Sequence, residues 1–222
     1  MPLILVATPI GDADDISLRG LKALKTADCI IVEERKEGAA FLRHHGISGK
    51  TYEQLNEHST KEDLSRLLEL TKIKNVALIT DCGTPGFADP GADLVHLCRQ
   101  HHVPVQSLPG ASSLMNLLSL SGRRIDEFHY RGFLPTDTEI RNSEWQKIVR
   151  SKIVTVIMDT PYRLQRTLSD LSKFLPEREI LLGLQLTQEK EQILSGQVKD
   201  LVPQVQEKKA EFILLIYPAG KL

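Results

Sequence analysis

The chain has 222 residues, of which 41% are hydrophobic and 26% are charged, as in ordinary soluble globular proteins. Its 28 basic and 29 acidic side chains give a net charge of -1, so it lacks the basic excess of a chain that coats nucleic acid. The 3 cysteines form no CxxC pair, which favours buried thiols in a reducing cytoplasm, and no metal site is predicted.

The apolar runs of the sequence are too short for an export or membrane signal. The run at 1–7 has no preceding basic residues and stops at Thr8 and Pro9, unlike a signal peptide. The run at 212–217 is far below the roughly 20 residues of a membrane span. We therefore expect a soluble, cytoplasmic protein with no membrane partner.

The first half of the chain alternates short apolar runs with amphipathic helical patterns. Strands are predicted at 3–7, 29–32, 76–80 and 103–108. Because these runs are apolar throughout, they indicate a parallel sheet that is covered on both faces. Helices are predicted at 16–27 and 60–71, the second after a capping box from Ser59 to Glu62. The alternation predicts right-handed crossovers and an open α/β sheet.

The second half of the chain has a different order of predicted strands and helices. Strands are predicted at 128–132, 153–159, 179–184, 192–196 and 211–217. The run at 192–196 follows the preceding strand too closely for a helical crossover, so we expect an antiparallel pair there. The sequence therefore predicts an α/β protein of two domains. Residues 1–112 would hold a mostly parallel sheet and residues 113–222 a mixed one.

Three loops rich in glycine and proline follow strands of the first sheet, at 8–12, 81–91 and 109–113. Ligands of open α/β sheets bind at the carboxyl ends of the strands. Glycine lets a ligand approach the backbone and proline fixes the loop, although ordinary βα turns contain both residues as well. The loop at 81–91 is long for a connector. Neither GxGxxG nor a P-loop sequence is present, which excludes the standard phosphate cradles.

An ordered series of short motifs runs through nearly the whole chain. It comprises ATPIG (7–11), DISLR (15–19), DCGTP (81–85), DPG (89–91), LPG (108–110), GFLP (132–135), TPYRL (160–164), LT (186–187) and EF (211–212). This series resembles the tetrapyrrole methylase superfamily, whose members are S-adenosyl-L-methionine-dependent methyltransferases. Within the superfamily it is most similar to the bacterial 16S rRNA ribose 2′-O-methyltransferases.

The resemblance implies a tetrapyrrole-methylase-like fold of two α/β domains with S-adenosyl-L-methionine in the cleft between them. It also implies a homodimer whose methyl acceptor is 16S rRNA in the small ribosomal subunit. By position, it implies that the cofactor is bound by Pro9, Gly11, Asp81, Cys82, Gly83, Thr84, Phe87, Ser112, Ser113, Met158 and Leu186. An alcohol acceptor must lose a proton during methyl transfer. Candidate bases are Glu33, Glu34, Glu57 and His58, each of which also suits a surface or helix-terminal position, and the catalytic residue stays unassigned.

On the acceptor side the sequence departs from the family pattern. The segments 33–39, 55–59, 136–137 and 185–188 each carry fewer basic or histidine side chains than the matching segments of the RNA-modifying members, and each loss removes a possible phosphate contact. A basic patch remains a candidate RNA contact, formed by Arg123, Arg124, Arg131, Arg141 and Lys147. Two alternatives stay open. The acceptor could be a tetrapyrrole or another small molecule, or the chain could be a non-catalytic S-adenosylmethionine-binding module.

Overall fold

Residues 2–220 are described by a computed structural model, and their contacts divide the chain into two units, Met1–Ser112 and Ser113–Leu222. Met1, Lys221 and Leu222, at the outer ends of the predicted domains, lie outside the described residues. Within residues 2–220, no helix is both long enough and apolar enough to cross a membrane.

The first unit is a parallel sheet with helical crossovers. Its described elements are β1 (Leu3–Val6), α1 (Leu18–Thr26), β2 (Cys29–Val32), α2 (Arg35–His44), β3 (Thr51–Gln54), α3 (Lys61–Ile73), β4 (Val76–Leu78), α4 (Gly91–Gln100) and β5 (Val105–Leu108). The strand order is β3-β2-β4-β1-β5 and every pairing is parallel. The carboxyl ends of all these strands therefore lie along one edge of the sheet.

Both faces of this sheet are buried. Cys29 and Ile31 of β2 pack on one face with helices α3 and α4, whereas Ile30 and Val32 pack on the other with α1 and α2. Side chains alternate between the faces of a strand, so burial on both sides requires an unbroken apolar run. This is why the buried strands could be predicted closely from the sequence.

Strand β3 is absent from the sequence prediction. Its residues are Thr-Tyr-Glu-Gln, and it lies at the edge of the sheet, where it pairs only with β2 among the described strands. An edge strand is exposed along one side and needs no continuous apolar run. Hydropathy therefore gave no signal for it.

The predicted cap of α3 is wrong by one residue. Thr60 is the N-cap: its hydroxyl accepts a hydrogen bond from the Asp63 N–H at 3.2 Å, and the Asp63 carboxylate accepts one from the Thr60 N–H at 2.9 Å. The Ser59 hydroxyl instead accepts from the N–H of Asn56 at 3.0 Å, in the preceding turn. The capping-box chemistry is as predicted, but its position is shifted.

The second unit is a mixed sheet. Its described elements are α5 (Ser113–Ser119), β6 (Phe128–Gly132), α6 (Thr138–Arg150), β7 (Val154–Asp159), α7 (Leu164–Phe174), β8 (Glu179–Leu184), β9 (Gln192–Gln197), α8 (Val198–Leu201) and β10 (Phe212–Ile216). The order is β6-β7-β10-β8-β9, in which β6 and β7 are parallel and the other pairings are antiparallel. The predicted antiparallel pair, β8 with β9, is confirmed.

The core of the second unit lies mainly on one face of its sheet. There, Leu182 and Leu214 pack with Trp145 of α6 and with helices α7 and α8. Helix α5 packs on the opposite face, where a Cβ on Gly183 would lie 3.0 Å from Cδ1 of Leu117. The absence of a side chain at Gly183 therefore permits this close approach.

Candidate active site

The loops that follow β1 and β4 are joined by a short antiparallel bridge. The Thr8 N–H donates to the Gly83 carbonyl at 2.9 Å, and the Gly83 N–H donates to the Thr8 carbonyl at 3.0 Å. The buried Thr8 hydroxyl adds a hydrogen bond to the Thr80 carbonyl at 3.0 Å. The two loops are thus held by main-chain hydrogen bonds at a buried position, where breaking such bonds would leave unpaired polar groups and reduce stability.

The loop after β5 is fixed to the same pair. The Thr84 hydroxyl donates to the carbonyl of Ala111 at 3.2 Å. A Cβ on Gly110 would lie 2.8 Å from the Cβ of Ala7, so only glycine permits this approach of the β5 loop to the end of β1. The structure therefore brings together the three loops that the sequence predicted to meet at the carboxyl edge.

Asp89 closes the loop at 81–91 on itself. Its carboxylate accepts hydrogen bonds from the N–H of Gly86 at 2.8 Å and from the N–H of Gly91 at 2.7 Å. Ala88, beside it, has a φ of 61°, a left-handed conformation that is strained for a residue with a Cβ. Asp89 and Thr8 were not among the predicted site residues, although the Asp-Pro-Gly sequence was a signal for such a turn.

The predicted cofactor residues of this unit differ in exposure. Pro9 and Gly83 are buried, Thr84 and Ser112 are half-buried, and the exposed members are Gly11, Asp81, Cys82 and Phe87. Gly83 has a φ of +80°, and a Cβ there would meet only Cγ2 of Ile10, at 3.8 Å. Because Thr8 already bonds its N–H and C=O, Gly83 offers the space left by its missing side chain rather than a hydrogen bond to a ligand.

Glu33 and Asp81 face one another across the ends of β2 and β4. The Asp81 N–H donates to the Glu33 carboxylate at 3.4 Å, and the Glu34 N–H donates to the Asp81 carboxylate at 3.2 Å. Burial, reinforced by neighbouring acidic groups, raises the pKa of both Glu33 and Asp81 above the ordinary values of their carboxyls. This corner of the sheet edge is therefore acidic and partly dehydrated.

The other candidate bases lie in exposed positions. Glu34 is the exposed N-cap of α2 and makes no side-chain capping bond. The Glu57 carboxylate lies 3.6 Å from Nε2 of His58, and each side chain is 83% exposed. Of the four predicted candidates, only Glu33 is both half-buried and bonded to a cofactor loop.

Three predicted cofactor residues lie in the second unit. The Ser113 hydroxyl lies 3.7 Å from Sδ of Met158, so the structure brings these two together. Leu186 is buried between Gln185 and Thr187, whose φ values are 49° and 61°. The residues on either side of Leu186 therefore both have the left-handed backbone conformation, which marks a strained turn after β8. Such strain clusters at functional positions.

The predicted basic patch is not an exposed, unpaired surface. Arg141 is only 1% exposed, and its guanidinium lies 2.6 Å from the Asp170 carboxylate, so its assignment as an RNA contact is wrong. The other members are ion-paired, as follows: Arg123 with Glu179, Arg124 with Asp126, and both Arg131 and Lys147 with Glu144. Their charges are largely compensated within the unit.

Comparison with known proteins gives a consistent result. Residues 2–202 match the family profile described as Tetrapyrrole (Corrin/Porphyrin) Methylases. Several relatives carry the name Ribosomal RNA small subunit methyltransferase I, among them the following two. That of Neisseria meningitidis serogroup B is 34% identical over 98% of this chain and 76% of its own. That of Coprothermobacter proteolyticus is 34% identical over 98% of this chain and 98% of its own.

A solved structure of diphthine synthase shares the fold. It superposes with a TM-score of 0.73 at 17% sequence identity, over 98% of this chain and 90% of that chain. The predicted α/β architecture, with one parallel and one mixed sheet, is confirmed.

Proposed function

Since the chain belongs to the tetrapyrrole methylase family and is an S-adenosyl-L-methionine-dependent methyltransferase, we propose that it methylates a ribose 2′-hydroxyl of 16S rRNA in the small ribosomal subunit. One observation carries the proposal: relatives named for small-subunit rRNA methylation match 98% of the chain at 34% identity. The match therefore covers both units and is not confined to the cofactor loops.

The first unit's loops suit the cofactor. When bound, S-adenosylmethionine supplies a methyl group already activated on a sulfonium. The acidic corner at Glu33 and Asp81 favours a cationic ligand, and the absence of a side chain at Gly83 leaves space for close approach. We propose that residues 1–112 and 113–222 act as two domains that both contribute cofactor contacts. The proposed contacts are Pro9, Gly11, Asp81, Cys82, Gly83, Thr84, Phe87, Ser112, Ser113, Met158 and Leu186.

Glu33 is the proposed general base. Its half-buried carboxylate has a raised pKa, which makes it a better proton acceptor than an exposed glutamate. The Asp81 N–H, 3.4 Å away, orients the carboxylate. In this role Glu33 takes the proton of the ribose hydroxyl as the oxygen accepts the methyl group. The surrounding loops align the acceptor and exclude water.

A cytoplasmic homodimer is proposed for the working state. Within residues 2–220, Cys29, Cys82 and Cys98 form no disulfide, which suits a reducing compartment. The dimer rests on the family resemblance. Sedimentation equilibrium tests it directly, because a mass of twice the chain supports a dimer and a mass of one chain overturns it.

The compensated basic patch favours a second candidate, a small-molecule acceptor such as a tetrapyrrole. Few unpaired charges mean weaker contacts to RNA phosphates. The distinguishing experiment incubates the enzyme and methyl-labelled S-adenosylmethionine with small subunits from cells that lack this enzyme. Nucleoside analysis by mass spectrometry would then follow.

A single new 2′-O-methylated nucleoside is the expected product. Transfer to a tetrapyrrole but not to the subunits would establish the second candidate. Cofactor binding without transfer to either acceptor would indicate a non-catalytic module.

A further inference from the structure

The loop that follows β6 is held by an unusual set of contacts. Four arginines each donate to one of four consecutive carbonyls: Arg131 to Phe133 (3.1 Å), Arg163 to Leu134 (3.1 Å), Arg141 to Pro135 (3.4 Å) and Arg166 to Thr136 (3.0 Å). We call residues 132–136 the arginine-held loop. It begins at Gly132, where a φ of +65° and a shift in the β6–β7 register turn the chain out of the sheet.

Three of these arginines are themselves fixed by carboxylates. Arg141 lies 2.6 Å from Asp170, Arg163 lies 3.2 Å from Asp159, and Arg131 is paired with Glu144. The loop carbonyls are thus bonded to side chains that cannot move without breaking ion pairs. A plain connector between a strand and a helix needs no such restraint, so the loop is rigid before any partner binds.

The rigid loop turns one aromatic ring outward. Leu134 is 1% exposed and packs in the core, whereas its neighbour Phe133 is 48% exposed. A second ring, Tyr162, is 77% exposed and follows the adjacent parallel strand β7. Arg163 joins the two loops, since its guanidinium contacts both the Leu134 carbonyl and Asp159 at the end of β7. Two exposed rings on loops joined by one guanidinium form a candidate contact surface for a partner.

Two cationic side chains without acidic partners contact these loops, one at the Tyr162 ring and one at the end of the arginine-held loop. The Lys209 ammonium lies 3.8 Å from the centre of the Tyr162 ring. Arg166 bonds the Thr136 carbonyl and the Thr138 hydroxyl. Among the described residues, neither Arg166 nor Lys209 has a carboxylate within ion-pairing distance. Aromatic rings interleaved with uncompensated positive charge are the chemistry that binds unpaired nucleotides.

We propose that the arginine-held loop presents Phe133 as a stacking surface for an unpaired base of the acceptor RNA, with Tyr162, Arg166 and Lys209 contacting the adjoining nucleotides. The proposal rests on the proposed function in taking RNA as the acceptor. Because the loop is fixed beforehand, little entropy is lost when a base stacks on the ring. The four arginines act as positioning residues, which hold the ring without needing to touch the RNA, although Arg166 has the charge to do both.

The test compares Phe133→Ala with Phe133→Trp and with the control Ile140→Ala. Ile140 is also apolar and 57% exposed, on the neighbouring helix α6. The probe is a fluorescein-labelled single-stranded RNA of small-subunit sequence, titrated at fixed salt and followed by anisotropy. Loss of one stacked base predicts a rise in Kd of about 5- to 150-fold for Phe133→Ala, and a Kd within about twofold of the wild type for Phe133→Trp. Affinity for S-adenosylmethionine, measured by calorimetry, stays unchanged.

The possible results separate this proposal from the proposed function. Equal Kd values for Phe133→Ala and Ile140→Ala overturn the stacking surface, as does failure of the wild-type chain to bind the RNA. If RNA binding depends on Phe133 but small subunits receive no methyl group, the stacking surface stands and the proposed acceptor is wrong. If Phe133→Ala instead changes the sedimentation mass and leaves RNA affinity intact, the loop belongs to a contact between two copies of the chain, which also overturns the proposal.

Discussion

The two units fix their functional loops by opposite means. In the first unit, the loop at 81–91 is held by main-chain bonds to Thr8 and by the short side chain of Asp89. In the second, the arginine-held loop is secured by long guanidinium side chains that reach its carbonyls. The first loop is proposed to bring its backbone close to a small cofactor, and such a loop has no room for long side chains. The arginine-held loop exposes the Phe133 ring on one side, and long side chains can contact its carbonyls without covering that ring.

The same contrast extends to charge. The carboxyl edge of the first sheet carries Glu33 and Asp81, both with raised pKa, whereas the loops after β6 and β7 are surrounded by arginine. A net charge of -1 conceals this separation. An acidic edge attracts a cationic ligand, which suits the proposed place of the sulfonium. In the second unit three of the four arginines are neutralised by carboxylates, so attraction for phosphate rests on Arg166 and Lys209.

The largest effect is expected from Arg141→Met. The substitution leaves Asp170 without the guanidinium that lies 2.6 Å from it, whereas Asp159, 3.5 Å from Arg141, keeps its ion pair with Arg163 at 3.2 Å. An uncompensated charge in a buried position costs about 3–5 kcal/mol of the free energy of unfolding. Urea denaturation followed by circular dichroism measures the loss. Adding Asp170→Asn should restore part of it, because the carboxylate that has lost its cation is then removed.

The matched control for this prediction is Arg166→Met. Arg166 is exposed and has no carboxylate partner among the described residues, so its replacement should change the free energy of unfolding by no more than about 0.5 kcal/mol. Equal losses for the two variants would show that the buried ion pairs do not brace the second unit.

A smaller but more specific effect is expected from Gly83→Ala. At a φ of +80° a Cβ costs about 1–2 kcal/mol, and it also occupies the space beside the Gly83 backbone that is proposed for the cofactor. Gly49→Ala is the control, since Gly49 has a φ of +69° and nothing within 4 Å of a new Cβ. Both variants should lose similar stability, but only Gly83→Ala should bind S-adenosylmethionine more weakly by calorimetry. Equal affinities would remove Gly83 from the site.

Thr8→Val should weaken the bridge between the loops at 8–12 and 81–91, because valine has the shape of threonine but lacks its hydroxyl. The change deletes the hydroxyl that donates to the Thr80 carbonyl at 3.0 Å and leaves a buried acceptor unpaired. We expect a loss of about 1 kcal/mol and a lower melting temperature. An unchanged melting temperature would mean that the two main-chain bonds hold the loops by themselves.

Much of this architecture followed from the sequence because burial on two faces leaves a visible pattern. Strand β2 was predicted at its observed bounds, whereas the polar edge strand β3 was not predicted at all. The meeting of the three glycine-rich loops also followed, since parallel strands end at one edge. Charge was harder to interpret. The sequence around Arg141 does not differ from that around a surface arginine, and its partner Asp170 lies 29 residues away. Only the structure therefore shows that Arg141 is buried.

The smallest effect on stability, and the sharpest on activity, is expected from Glu33→Gln. Burial raises the pKa of Glu33 above its usual 4.5, and the charges of Asp81, Asp89 and Glu34 add to the shift. The folded chain therefore binds the Glu33 proton more tightly than the unfolded chain does. Ionisation above the raised pKa destabilises the fold, so the glutamine variant should melt at a higher temperature than the wild type at neutral pH. That advantage should disappear as the pH falls through the raised pKa towards the unfolded value.

The activity of Glu33→Gln should move in the opposite direction. Glutamine can still accept the Asp81 N–H but cannot take a proton, so we expect methyl transfer to fall by about 10²- to 10⁴-fold. In the wild type the rate should rise with pH through the raised pKa, and in the variant this rise should be absent. Glu57→Gln makes the same chemical change in an exposed pair with His58 and should alter neither rate nor stability. Wild-type rates in Glu33→Gln, or a large loss in Glu57→Gln, would move the base away from the acidic corner of the first unit.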